Sequence, residues 1–202
     1  MTVKTIYRKE INMKKNVIAR ISNRHMHMTE ETLCKLFGEN YELSVKKNLD
    51  PPIFAANETV TIEGPKGKIE GVRILGPVRQ YNQVEILRSD KFKLGIDAPI
   101  KISGSKNLAP LKVTGPKGSI DFDSVALVPL RHIHFTEEQA KDFDVRKGQI
   151  VKVKVSTGDR KLIFDDVMIV ITPGMPAPAL DIDFEEANAS CITADDLVEI
   201  IE

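Results

Sequence analysis

Tryptophan is absent from this 202-residue chain, and cysteine occurs only twice, at Cys34 and Cys191. The two cysteines form no Cys-x-x-Cys unit and no disulfide framework, so a reducing cytoplasm fits best. Net charge is also missing. Lysine and arginine total 29 against 29 aspartates and glutamates, which leaves no electrostatic argument for a nucleic-acid or anionic-membrane partner. The basic pairs Lys14-Lys15 and Lys46-Lys47 read as solvated surface. No apolar run approaches the roughly 20 residues of a membrane-spanning helix, and Met1 to Lys15 lacks the continuous apolar stretch of a secretory signal. Histidine is scarce as well, with four in the whole chain.

What remains is enough apolar sequence (42%) for one large domain or two small ones. Residues 1–15 read as a mobile leader with a weak helical stripe. Beyond them, segments 17–22, 58–63, 68–75, 83–87, 111–114, 124–128, 150–155 and 166–171 are rich in Val, Ile or Thr and bounded by turn residues, as strands are. Helical patterns cover 29–37, 89–94 and 184–189, and Thr136 with Gln139 forms a capping box ahead of a helix over 139–144. Isolated helices among many short strands predict a mainly β fold of small barrels.

Internal repetition sharpens that expectation. Gly-Pro-Lys-Gly occurs at 64–67 and 115–118, and Pro-x-Arg follows each copy, at 77–79 and 129–131. Both tetrapeptides suit hairpin turns, with Lys66 and Lys117 able to reach an anion as flexible point charges. The string Arg24-His25-Met26-His27-Met28-Thr29-Glu30-Glu31 returns at Arg131 to Glu138, changed only at its two apolar positions. A third copy, Arg79-Gln80-Tyr81-Asn82, keeps the arginine without the histidines. The repeats predict two related small β-barrel subdomains: 16–104 first, and 105–202 second, with the C-terminal segment free to pack back on the first.

All four histidines fall in the two His-x-His pairs. On an extended strand, residues i and i+2 share a face, so each pair aims two imidazoles at one point. Neutral imidazole ligates zinc, copper, iron or nickel, and a catalytic zinc takes a third protein ligand beside a water or substrate. Carboxylates can supply it. Glu85 lies in a strand pattern, where a solvated side chain is the competing reading, and Asp181, Asp183, Glu185 and Glu186 follow a Pro-rich loop. Cys34, on an amphipathic helix, reads as a core thiol. Arg20, Arg24, Arg73, Arg79, Arg88 and Arg131 cluster around these motifs, and arginines with metals suit a phosphate-bearing substrate.

Taken together, Ile-Ser-Asn-Arg-His-x-His (21–27), Glu-Thr-Val-Thr with Gly-Pro-Lys-Gly (58–67), Gly-Val-Arg-Ile-Leu-Gly-Pro-Val-Arg (71–79), Gln-Val-Glu-Ile (83–86), Arg-His-Ile-His (131–134) and Asp-Phe-Glu-Glu-Ala-Asn-Ala (183–189) closely resemble the propanediol-utilisation-type phosphate propanoyltransferases, from about Val17 to Asn188. The resemblance implies two β-barrel subdomains, two zinc ions per chain in a site between them, and transfer of a propanoyl or acetyl group between coenzyme A and phosphate without a covalent acyl-enzyme. It implies one zinc on His25, His27 and Glu85. The other would sit on His132, His134 and a position where the family usually places histidine, occupied here by Asp181. Arg79 matches the phosphate-binding, catalytic arginine, and Ile21, Ser22, Asn23, Lys47, Lys66, Arg73, Leu75 and Asn188 fall at coenzyme A contacts. A carboxylate at 181 would lower the centre's charge and favour harder ions. The family also carries encapsulation peptides, so residues 1–15 are a candidate for one that directs the enzyme to a bacterial microcompartment and its shell. A homo-oligomer stays open. The rival functions are a binuclear metallohydrolase of thioesters and a non-catalytic CoA-binding paralogue.

Overall fold

The computed structural model describes residues 15–49 and 52–201; the expected leader therefore lies outside the described residues, apart from Lys15. In chain order the elements are β1 (Asn16–Ser22), β2 (His25–His27), α1 (Glu30–Phe37), β3 (Val45–Asn48), β4 (Phe54–Gly64), β5 (Gly67–Gly76), β6 (Gln83–Glu85), α2 (Asp90–Leu94), β7 (Ile100–Lys101), β8 (Ala109–Thr114), β9 (Ser119–Pro129), β10 (His132–Phe135), α3 (Glu137–Asp142), β11 (Ile150–Val155), β12 (Leu162–Ile171), β13 (Ala179–Asp183), α4 (Phe184–Ser190) and β14 (Leu197–Ile200). No described helix is long and apolar enough to cross a membrane.

The fold is mainly β and divides into two units, each with its own barrel and its own core. Asn23–Pro129 forms one; the described residues up to Ser22 join those from Leu130 onward in the other. In the Asn23–Pro129 unit the strands close as β4-β5-β2-β6-β9-β8, with β8 pairing back to β4 and with β3 and β7 appended at β4 and β9. In the other unit the order is β11-β12-β10-β13-β1-β14, closed by β14 on β11. The two circuits match strand for strand in direction: β5 and β12 run parallel to the histidine strands β2 and β10, and β6 and β13 run antiparallel to them.

That match explains why the division differs from the one the repeats suggest. The boundary expected near 104 falls inside the first-described unit, and residues 16–22, expected in the first barrel, close the second. Strand β1 holds the place that β9 holds in its counterpart, so this barrel takes strands from both ends of the described chain. A linear repeat does not reveal such closure. Both Gly-Pro-Lys-Gly segments likewise lie in one unit, as the β4–β5 and β8–β9 hairpins.

Each of these hairpins docks on a helix C-terminus, where backbone carbonyls lack partners. Lys66 N–H donates to Leu94 O at 3.0 Å, and Lys117 N–H to Leu36 O at 2.9 Å. The approach leaves no room for a side chain. A Cβ on Gly64 would stand 2.3 Å from Leu94 O, and one on Gly115 2.5 Å from Leu36 O. The capping box of Thr136 and Gln139 is present, and it starts α3 at Glu137, two residues ahead of the expected start. Cys34 is half-buried on α1 rather than a core thiol.

The cores fix the histidine strands. Met26 and Ile133, each between its two histidines, are fully buried in their respective clusters. Burying such a side chain contributes about 1.5–3 kcal/mol. Strand alternation then sends the flanking imidazoles to the opposite face.

Candidate active site

Each barrel presents one cluster of two histidines and a carboxylate: His25, His27 and Glu85 in one, His132, His134 and Asp181 in the other. The register builds both in the same way. His25 lies opposite Glu85 in the β2–β6 pairing, and His132 opposite Asp181 in the β10–β13 pairing. Strand repetition thus brings the third ligand candidate beside the His-x-His pair in each unit. Glu85, whose competing reading was a solvated side chain, is buried at 8% exposure.

Hydrogen bonds set the imidazole tautomers. His25 Nδ1 lies 2.7 Å from Asn23 O, and His132 Nδ1 2.7 Å from Leu130 O. A carbonyl only accepts, so both Nδ1 atoms carry the proton and both Nε2 atoms are free to ligate. His134 Nδ1 is bonded to Thr172 Oγ1 at 2.7 Å, which points its Nε2 at the cluster. His27 engages the Leu75 backbone, while its buried Nδ1 has no hydrogen-bond partner among the described residues. Burial first, then His25 and Arg79, lower the His27 pKa to about 2, so the ring is neutral at any working pH.

These donors fit a metal ion. Ligand atoms about 2.0–2.2 Å from a tetrahedral zinc stand roughly 3.3–3.6 Å apart. His132 Nε2 and His134 Nε2 are 3.0 Å apart, and Asp181 Oδ2 is 3.1 Å from His134 Nε2 and 3.6 Å from His132 Nε2. In the other cluster, His25 Nε2 is 3.3 Å from Glu85 Oε2, and the three candidate ligand atoms lie within 4.8 Å of one another. The orphaned His27 Nδ1 is the kind of buried group that a cation satisfies.

The arginines separate by role. Arg24 Nε donates to Asp90 Oδ2 at 2.6 Å; Arg131 pairs with Glu186 and Asp166 and lies over the Phe164 ring. These two arginines tie each histidine strand to the start of the helix after the carboxylate strand. Arg73 Nη1 donates to Ala56 O and Asn57 O. Arg79 is close enough to His27 to depress its pKa, and it donates through Nη1 to Tyr81 OH at 2.7 Å. Residues 79–82 sit in the β5–β6 connection, so they are not a third histidine-type strand. Strand β5 ends ahead of that connection at Gly76, where a Cβ would meet the Phe54 ring at 2.2 Å.

The residues matched to coenzyme A contacts divide between units. Ile21 and Ser22 end β1, and Asn188 is exposed on α4, in the unit that holds Asp181. Asn23, Lys47, Lys66, Arg73 and Leu75 belong to the other unit. Lys47 is exposed on β3. Lys66 lines a cavity of about 380 Å³ with Arg88, Lys91 and Phe92. The partners of the candidate ligands and of Arg79, namely Gln83, Ser103, Tyr81 and Thr172, are not singled out by the sequence motifs. Gln83 was visible as the alternate residue of the Gln-Val-Glu strand pattern, whereas Ser103 and Thr172 come from loops without a periodic signal.

A family model for phosphate propanoyltransferase matches residues 18–193. The chain is 46% identical over 188 residues to a phosphate propanoyltransferase of Thermotoga maritima, covering 92% of this chain and 89% of that one. It is 45% identical over 183 residues to one from Lachnoclostridium phytofermentans, covering 90% and 85% of the two chains. A Limosilactobacillus reuteri phosphate propanoyltransferase is 44% identical over 191 residues, covering 93% and 87%. With that identity carried across nine-tenths of its length, the chain belongs to the phosphate propanoyltransferase family.

Proposed function

We propose that this transferase moves a short acyl group, propanoyl or acetyl, between coenzyme A and inorganic phosphate by direct attack of phosphate on the thioester, with a zinc ion held by each histidine–carboxylate triad. The observation that carries the reading is the pair of triads, one of them with a buried, partnerless His27 Nδ1 and with Arg79 beside it. Bound at those ligands, divalent zinc would supply Lewis-acid charge for phosphate and thioester oxygens.

The chain's own residues supply orientation and charge. Arg79 is always protonated, and its guanidinium can take two phosphate oxygens in a fork while Tyr81 fixes it from behind. Neutral His27 keeps its lone pair for a ligand instead of repelling a cation. In the reaction, a phosphate oxygen forms a bond to the acyl carbon and the carbon–sulfur bond breaks, with the electron pair leaving on the coenzyme A sulfur. Holding phosphate against the carbonyl supplies much of the rate. Cys34 on α1 and Cys191 at the end of α4 lie outside both triads, and Ser103 Oγ is bonded to Gln83 and Tyr81 rather than to a base. Those placements support direct attack over an acyl-enzyme.

The test is release of coenzyme A from propanoyl-CoA with and without phosphate. Release that requires phosphate, with acyl phosphate as product, is expected. Equal release without phosphate would identify a thioester hydrolase and overturn the reading.

A further inference from the structure

One buried amide joins the third ligand of the His25–His27 triad to the proposed phosphate-binding arginine. Gln83 is 1% exposed on β6, two residues before Glu85 and opposite His27 in the β2 pairing. Gly104 N–H donates to Gln83 Oε1 at 2.7 Å, which fixes the orientation of the amide because a backbone N–H needs an acceptor. The other end, Nε2, then donates both of its protons: to Glu85 Oε1 at 2.8 Å and to Ser103 Oγ at 2.8 Å. Ser103 Oγ lies 3.4 Å from Tyr81 OH, and Tyr81 OH accepts from Arg79 Nη1 at 2.7 Å. Every polar atom of Gln83 is engaged, and Glu85 is left with Oε2 alone facing His25.

The other barrel shows what the site is like without this brace. The register position of Gln83 is taken there by Ala179, opposite His134, and alanine cannot donate. Asp181 is correspondingly the less enclosed ligand candidate, with its side chain 27% exposed against 10% for Glu85. The two triads share a strand plan and differ in how firmly the carboxylate is held.

We propose that Gln83 is a positioning residue that confines Glu85 to a single ligating oxygen and, through Ser103 and Tyr81, sets the Arg79 guanidinium toward the same phosphate. The inference rests on the function proposed above. Partners behind metal ligands orient them and typically change metal affinity about 10- to 100-fold when removed. The amide also links the metal-ligand candidate Glu85 to Arg79 through hydrogen bonds, so a phosphate held by Arg79 beside a zinc on that triad would meet a preset geometry.

The experiment measures zinc affinity of purified protein in a His132→Ala, His134→Ala background, which leaves one triad, and kinetics in the otherwise native chain. Gln83→Met keeps the length and removes all three hydrogen bonds. It is expected to weaken zinc about 10- to 100-fold and to raise the KM for phosphate, with added zinc restoring part of the loss. Tyr81→Phe, which spares Glu85, is expected to leave zinc affinity unchanged and raise the phosphate KM about 10-fold, the worth of one bond to a charged group. Ser103→Ala, a smaller change, should shift phosphate KM in the same direction without altering acyl-CoA KM. Unchanged zinc affinity in Gln83→Met, or equal rises in both KM values for Tyr81→Phe and Ser103→Ala, would overturn the inference. Loss of both metals by Gln83→Met in the native chain would also overturn it, by showing a general packing role. A wild-type protein that binds no zinc would overturn the parent function and this inference together.

Discussion

Asp181 is where this chain departs from the histidine that its resemblance leads one to expect, and its replacement gives a graded test. Its Oδ2 stands 3.1 Å from His134 Nε2 and 3.6 Å from His132 Nε2, so Asp181→Ala removes one of the three proposed ligands and leaves a histidine pair. Losing a partner behind a ligand costs up to about 100-fold in metal affinity. Losing the ligand itself should cost at least that, about 2.7 kcal/mol at 1.36 kcal/mol per tenfold. Asp181→Asn keeps an oxygen but no charge and should fall between. Asp181→His places a third imidazole opposite His132, with Cβ atoms roughly 5 Å apart across the strands. It should retain the metal, raise the charge of the centre and leave transfer as fast or faster. The assay is metal content by elemental analysis after dialysis against weak chelator, with phosphate-dependent release of coenzyme A in parallel. Retention of two metals at native affinity by the Ala, Asn and His variants alike would refute the assignment of Asp181 as a ligand.

Three further outcomes follow from the same geometry. His25→Ala with His27→Ala should remove one of two metals per chain by elemental analysis and leave the His132–His134 triad loaded. Arg79→Ala should raise the KM for phosphate by about 2 kcal/mol, roughly 30-fold, and leave that for acyl-CoA unchanged; equal effects would mean a structural role. The third concerns pH. The folded pKa of His27 is lowered to about 2 against an ordinary 6.5, so its contribution to stability is complete above 6.5 and falls as pH drops toward 2. Between pH 6.5 and pH 5 the loss is about 2 kcal/mol. Urea unfolding of metal-free protein should show that loss, and His27→Gln should lack it; identical pH slopes in both proteins would contradict it.

The two histidine pairs were legible in the sequence as candidate metal ligands because strand alternation and duplication both act on near neighbours. His25 and His27 had to share a face, and the string repeated at 131–138 had to repeat the local structure. Glu85 and Asp181 stood among several candidate carboxylates until the family resemblance matched them to ligand positions; they lie far along the chain and meet the histidines only through β2–β6 and β10–β13 pairing. Strands β13 and β14 went unread: Ala-Leu-Asp-Ile-Asp sits between a Pro-rich loop and a helix, and Leu197–Ile200 is only four residues long. The division of the chain was hidden for a topological reason, since β1 closes a barrel whose other strands begin at His132. Arg24 and Arg131, which composition groups with substrate-binding arginines, are held by Asp90 and Glu186, carboxylates at helix starts that no short-range pattern connects to them.

The central claim, metal-dependent acyl transfer to phosphate, is tested most directly by titrating zinc into metal-stripped protein while following coenzyme A release from propanoyl-CoA in phosphate. No release is expected without zinc, then a rise that reaches its plateau at two equivalents per chain, with acyl phosphate formed in step with free coenzyme A. Full phosphate-dependent release from protein shown by elemental analysis to hold no metal would contradict it.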